Sequence, residues 1–263
     1  MFTMMNYERL GVGIQGIGFS LLIRPEELED HITRIRAEGF PEYQVWPAGE
    51  RELYSAIVYL EPFRGRNLRA FGYDMFSEPV RRAAMIQARD TGMAALSGRV
   101  ELVQETGTGV QPGTLMYVPV YRQGAAWGTL EERREALIGW SYSPYRMYDL
   151  MGGILGNDHQ HLNGQAVGLS IYDGEARPEN LLYRNFESAL DTGPSLFFRQ
   201  RVIDFNDRQW TLHFDHLDPS SGIDYTSAWA TLAGGLVLSG LLFSLLLSMA
   251  NTQARALRIA DQL

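Results

Sequence analysis

The chain of 263 residues contains no cysteine, and its 23 basic residues are all arginine, so lysine is absent too. Without cysteine there is no disulfide, no thiolate nucleophile and no cysteine-ligated zinc or iron–sulfur centre. Without lysine there is no Schiff-base amine and no P-loop lysine. Positive charge is outweighed by negative, and a formal net charge of −8 argues against a nucleic-acid partner, which rewards basic patches. No G-x-S-x-G nucleophile elbow occurs. The letters G-x-G-x-x-G do occur, at Gly11–Gly16, but a dinucleotide site needs a strand before them and a helix opening at them. Here nothing strand-like precedes them and a strand-like run follows.

Long hydrophobic runs are also scarce, and the mean hydropathy of −0.17 resembles that of an ordinary soluble protein. That average conceals one exception. Ala228–Ala250 (AWATLAGGLVLSGLLFSLLLSMA) runs 23 residues without a charge. As a helix it measures roughly 34 Å at ~1.5 Å per residue, enough for a ~30 Å hydrocarbon core. Trp229 stands at its start, where an interfacial aromatic belongs. Arg255 and Arg258 follow the run, whereas Asp215, Asp218 and Asp224 precede it and no basic residue lies between Arg208 and the run. The positive-inside rule then puts the C-terminal stub in the cytoplasm and the large N-terminal part outside. Gly240, Ser244 and Ser248 recur at i, i+4 and i+8, a spacing that lets two such helices approach closely as a homodimer. The stub NTQARALRIADQL reads as the start of an amphipathic helix. Gly11–Ile23 is uncharged for 13 residues, too short to span and without a cleavage site, so an upstream exporting segment is expected.

The outer part reads as α+β. Residues 14–23 form a strand, Pro25 opens a helix carrying Leu28, Ile32 and Ile35 on one face, and Gly39 closes it. Tyr43–Trp46, Tyr54–Leu60, Val100–Gln104, Gly113–Tyr121 and Leu137–Tyr142 are strand-like. Pro79–Ser97 is helical, with a break near Thr91–Gly92, and Ser77 is the natural N-cap before it. Gly124–Arg134 reads as a charged loop and Tyr145–Leu155 as a helix. Ala166–Tyr172, Leu181–Tyr183, Ser195–Ile203 and Trp210–His216 are a second set of strands, separated by turns at Asp173–Gly174 and Asn206–Asp207. Two α+β blocks therefore stand in tandem, 1–146 and 147–227, followed by the span at 228–250 and the stub at 251–263.

Little here points to catalysis. His159 and His161 with Asp158, and His213 and His216 with Asp215, match no strong ligand spacing and read as solvated surface residues, so neither a metal nor another cofactor is expected. Asp74 is different, because it sits in the mostly apolar run Phe71-Gly-Tyr-Asp-Met-Phe-Ser77. A buried carboxylate is costly unless hydrogen-bonded. It serves either as a turn carboxylate or as a ligand-facing group.

The pieces GFPEYQVWPAGERELYSAIVYLEP, FGYDMFSEPVRRAAMIQARDTGMAALSGRVELVQET and LMYVPVYR resemble the CHASE domain, the extracytoplasmic sensor of bacterial and plant transmembrane receptors. A weaker likeness continues through EERREALIGWSYSPYRMYDLM and SIYDGE, so the resemblance covers roughly residues 11–175. It implies two PAS-like modules in tandem between two transmembrane helices, with a long N-terminal stalk helix. On that pattern the chain begins inside the domain and stops before an output domain such as a histidine kinase or diguanylate cyclase. Plant members bind cytokinins, N6-substituted adenines, in the membrane-distal module. There an aspartate in a D-M-x-S stretch and a leucine backbone near a helix end contact the adenine. The resemblance carries those roles to Asp74 and Leu96, with Met116 and Val118 lining the same pocket. Where plant receptors have a glycine-rich strand, this chain has Gly139-Trp-Ser-Tyr-Ser-Pro144, and Trp140 and Tyr142 narrow the space for an N6 tail.

The expectation is therefore a non-enzymatic sensor fragment that binds a small molecule, with adenine-like compounds as candidates, touches membrane lipid through one span and pairs as a homodimer. A membrane-anchored domain that binds a protein partner, or an extracytoplasmic hydrolase, are the alternatives.

Overall fold

A computed structural model describes residues 13–105, 107, 109–156, 161–162, 165–186, 198–216 and 225–260. The chain divides into one unit ending at Leu217 and a second from Asp218 to Leu263. In the first unit the described strands form two antiparallel sheets, as alternating apolar residues and polar turns require.

The first sheet contains β1 (Ile17–Ile23), β2 (Tyr54–Glu61), β3 (Ala95–Leu96), β4 (Val100–Glu101), β5 (Pro112–Tyr121) and β6 (Leu137–Arg146), in the order β2-β1-β6-β5-β3 with β4 also on β5. Gly16 runs straight into β1, so no helix opens among the described letters of the motif, Gly13–Gly16. Helix α1 (Leu28–Ala37) follows a short 3-10 turn at Pro25–Glu27, and α2 (Pro79–Thr91) packs on the sheet. Strand periodicity decides which side chains meet α2. In β5, Leu115 and Tyr117 point into a core with Met85, Ala88, Trp140 and Tyr142, while Met116 and Val118 point away.

The second sheet contains β7 (His161–Leu162), β8 (Gln165–Asp173), β9 (Leu181–Arg184), β10 (Phe198–Phe205) and β11 (Arg208–His216). Asn206 and Asp207 both take positive φ (47° and 59°) and close the β10–β11 hairpin, the conformation that a two-residue turn demands. Helix α4 (Met147–Leu155) contributes Met147 and Met151 to a cluster with Leu169, Ile171, Leu182 and Trp210. Leu96 belongs to that same cluster, so the two sheets share packing within one unit.

Several expected elements differ. Tyr43–Trp46 is not a strand. Trp46 N–H donates to Gly72 O (3.0 Å) and Trp46 O accepts from Asp74 N–H (2.7 Å), and Pro47, which has no N–H, follows at once. Helix α2 ends at Thr91 because Gly92 takes the left-handed conformation (φ 75°), and Ala95–Leu96 is then free to pair with β5. The strand from Val100 stops at Glu101. The supposed loop 124–134 contains the start of α3 (Leu130–Ala136), and Tyr145 belongs to β6, paired with Thr114. In the second unit α5 (Thr226–Ala260) contains one membrane-length apolar stretch, Thr226–Gln253.

Candidate functional site

The turn before α2 is dictated by one glycine. Gly72 has φ 77°, and a Cβ there would lie 2.1 Å from the carbonyl oxygen of Gln44. Only glycine lets the 43–46 segment approach this closely. Asp74, two residues on, is completely buried. Its Oδ1 accepts from Ser55 N–H (2.8 Å) and Phe76 N–H (3.0 Å), which caps the 3-10 turn Met75–Ser77. Its Oδ2 faces the Arg51 guanidinium at 3.3 Å and takes no hydrogen bond. Burial pushes the carboxyl above its ordinary range, and the Ser55 amide, Arg51 and the Phe76 amide pull in the opposite direction. Asp74 thus performs the turn role and retains oxygen lone pairs for a further donor.

Ser77 was the expected cap of α2; instead Ser77 Oγ donates to Asp74 O (2.6 Å), and Glu78 caps the helix through Val80 N–H (3.0 Å) and Arg81 N–H (2.9 Å). The longer carboxylate reaches two amides at once and lies at the positive end of the helix. One turn later Arg81 is buried and donates to Tyr73 Oη (3.1 Å) and Glu101 O (2.7 Å). Tyr117 and Tyr142 lie in the same layer, and their buried hydroxyls make no hydrogen bond. Burial raises both phenols. Trp140 is wholly buried, donates Nε1–H to Met85 O (2.9 Å) and tilts against Phe76 at 5.3 Å. These side chains occupy the interior beside Asp74.

The four residues expected to line one pocket do not converge. Asp74 is bonded to β2, at one edge of the first sheet, whereas Leu96 is on β3 at the other. Leu96 and Met116 face away from α2's core and pack towards Met147 and Leu169. Leu96 also borders a cleft of about 310 Å³ with Pro79, Val80, Ala83 and Arg208. Val118 is 44% exposed on the outer face of β5. Arg51, the charge opposite Asp74, was not anticipated, because the 22 positions between them carry no periodic signal that would pair them. Among the described residues no group of three histidine, aspartate or glutamate side chains is placed to hold a metal. His159 lies outside the described residues.

The family model of the CHASE domain matches residues 3–183. A hybrid signal transduction histidine kinase A of Dictyostelium discoideum is 26% identical over 156 residues, which is 57% of this chain and 7% of that protein. The chain therefore corresponds to a small part of the relative's length.

Proposed function

The chain belongs to the CHASE domain family, the sensor modules of signalling receptors, and from that premise we propose that it binds a small molecule beside Asp74 and signals through α5. The observation that carries this reading is the fully buried Asp74 carboxylate, with Arg51 at 3.3 Å and an Oδ2 that accepts no hydrogen bond. A ligand N–H would supply that missing donor, and an exocyclic amine on a planar heterocycle has the right chemistry. The adjoining Trp46 segment, tied to Asp74 by one backbone bond, is the wall a ligand must displace. Leu96 and Met116 then act across the two sheets, and Val118 on the outer face, as readout of the change rather than as contacts. We take the two sheets as the two modules, with the junction at the start of α4. Ligand binding biases two arrangements of the modules by its differential affinity for them, and paired α5 helices pass that bias across the membrane to an output domain such as a kinase.

The test is a thermal-shift screen of the full chain in lipid nanodiscs against adenine, N6-substituted adenines and other small metabolites. A saturating stabiliser at ~100-fold over Kd should contribute about 2.7 kcal/mol. Asp74→Asn should remove the shift, while Val118→Ala retains it. Stabilisation by a protein partner and by no small molecule overturns the reading.

A further inference from the structure

A second concavity lies on the far side of the Trp46 segment. Residues Gly39–Gln44, Trp46, Leu68, Arg69 and Phe71 border a groove of about 470 Å³, within the range of small-molecule sites. Its walls are Phe40, Trp46, Leu68 and Phe71. The Phe71 ring is the centre of an aromatic cluster, 5.0 Å from Phe40, 4.9 Å from Tyr43 and 5.3 Å from Phe63. Phe40 is 38% and Leu68 46% exposed, so the apolar wall is open to solvent. Its polar groups include one acid and one base, Glu42 and Arg69. Among the described residues neither side chain makes an ion pair or a hydrogen bond. Some exposed arginines elsewhere are engaged, as in Arg134–Asp90 at 2.6 Å and Arg177–Glu175 at 2.5 Å, whereas among the described residues the side chains of Arg64 and Arg66 are as unpaired as that of Arg69.

We propose that this groove binds a free amino acid with an aromatic side chain. Arg69 takes its carboxylate, because a planar guanidinium fork matches that group. Glu42 takes its ammonium, and the ring lies against Phe40 and Phe71 in the offset or edge-on contacts that aromatic pairs favour. A ligand of one charge would leave the other rim group unanswered. The walls are preorganised. His31 Nε2 lies 2.9 Å from the Tyr43 hydroxyl, Arg36 Nε–H donates to Tyr43 O (2.8 Å), and Trp46 Nε1–H donates to Phe71 O (3.0 Å). Such prior ordering lowers the entropic cost of binding. The site is separate from Asp74, yet Trp46 O accepts from Asp74 N–H (2.7 Å), so the two share a wall.

The experiment is calorimetric titration of the full chain in nanodiscs with L-phenylalanine and L-tryptophan, and with phenethylamine and 3-phenylpropionate, which each retain one charge. The amino acids should bind saturably, and each single-charge analogue about tenfold or more weaker. Arg69→Ala and Glu42→Gln, both surface changes that leave the core intact, should each weaken phenylalanine about tenfold or more. Arg69→Lys should recover part of the loss. Saturable phenylalanine binding that requires Arg69 stands whether or not any adenine-type compound shifts the melting midpoint, which separates the groove from the Asp74 reading. Absence of saturable binding up to about 10 mM, equal binding of the single-charge analogues, or indifference to Arg69→Ala overturns the proposal.

Discussion

At the scale of single residues, His31 shows how a buried neutral group ties stability to pH. It is 3% exposed on α1. Arg34 Nη2 donates towards its Nδ1 at 3.3 Å, which leaves Nε2–H to donate to the Tyr43 hydroxyl at 2.9 Å. This pattern suits the neutral ring. Burial first, and the Arg34 charge second, lower its pKa to about 4. In the unfolded chain the same ring titrates near ~6.5, so between these values the unfolded state holds the additional proton. Folding stability therefore rises with pH across that window and falls as the pH drops from about 6.5 to 4, by at most about 3 kcal/mol. His31→Gln retains a donor for Tyr43 but cannot titrate. The melting midpoint of the variant, followed from pH 7 to 4, should fall less than that of the parent chain, and parallel profiles would refute the assignment. Asp90, in the last turn of α2, marks a different limb. Arg134 above all, with Arg89, holds it well below the carboxylate range, so its contribution is present above that range and is lost only under stronger acid.

At the scale of elements, α3 is the clearest case of local chemistry deciding structure. Glu132 N–H donates to Thr129 Oγ1 (3.2 Å), while Glu132 Oε2 accepts from Thr129 N–H (2.9 Å) and Gly128 N–H (2.8 Å). This reciprocal capping box satisfies amides that a helix of seven residues could not satisfy alone. Thr129→Ala should cost about 1 kcal/mol, read as a lowered melting midpoint, and Thr129→Ser should recover most of it. A null effect would mean that the Arg134–Asp90 and Arg133–Asp90 bonds alone fix the helix. The T-L-E-E signature was present in the sequence and was masked by the surrounding charge. Other elements were legible because their signal is local: β5 and β6 from alternation, α2 from its closing glycine, the β10–β11 hairpin from Asn206–Asp207. Tyr43–Trp46 misled because aromatic composition resembles a strand, and only Gly72 and Pro47 reveal that its pairing stops after one residue. The site was less legible than the fold. Asp74 was picked out by its apolar surroundings, but its partner Arg51, the unpaired phenols of Tyr117 and Tyr142, and the separation of Leu96 from Asp74 all depend on tertiary placement.

At the scale of the whole molecule, a polar unit up to Leu217 and an apolar helix are joined in one chain. The helix surface explains why they belong together. Between Trp229 and Met249 its large side chains, including Leu236, Leu238, Leu241, Phe243 and Leu246, are 46–69% exposed. Such a surface is stable in lipid and aggregates in water. This exposed apolar surface is consistent with a membrane span, and charge predicts its orientation, because Arg255 and Arg258 lie beyond one end and Asp215, Asp218 and Asp224 before the other. The positive-inside rule predicts that the arginines lie in the cytoplasm and the sheets outside. The absence of native cysteine makes this directly measurable. In intact cells, Tyr225→Cys should react with a membrane-impermeant maleimide, and Gln262→Cys should react only after the membrane is opened. Changing Arg255 and Arg258 together to aspartate removes the asymmetry that sets the orientation, so a fraction of Gln262→Cys chains should then become reactive in intact cells. The reverse labelling pattern in the parent chain would place the sensor unit in the cytoplasm. A signal would then have to reach Asp74 and the aromatic groove from inside the cell, and the extracytoplasmic reading of both sites would fail with it.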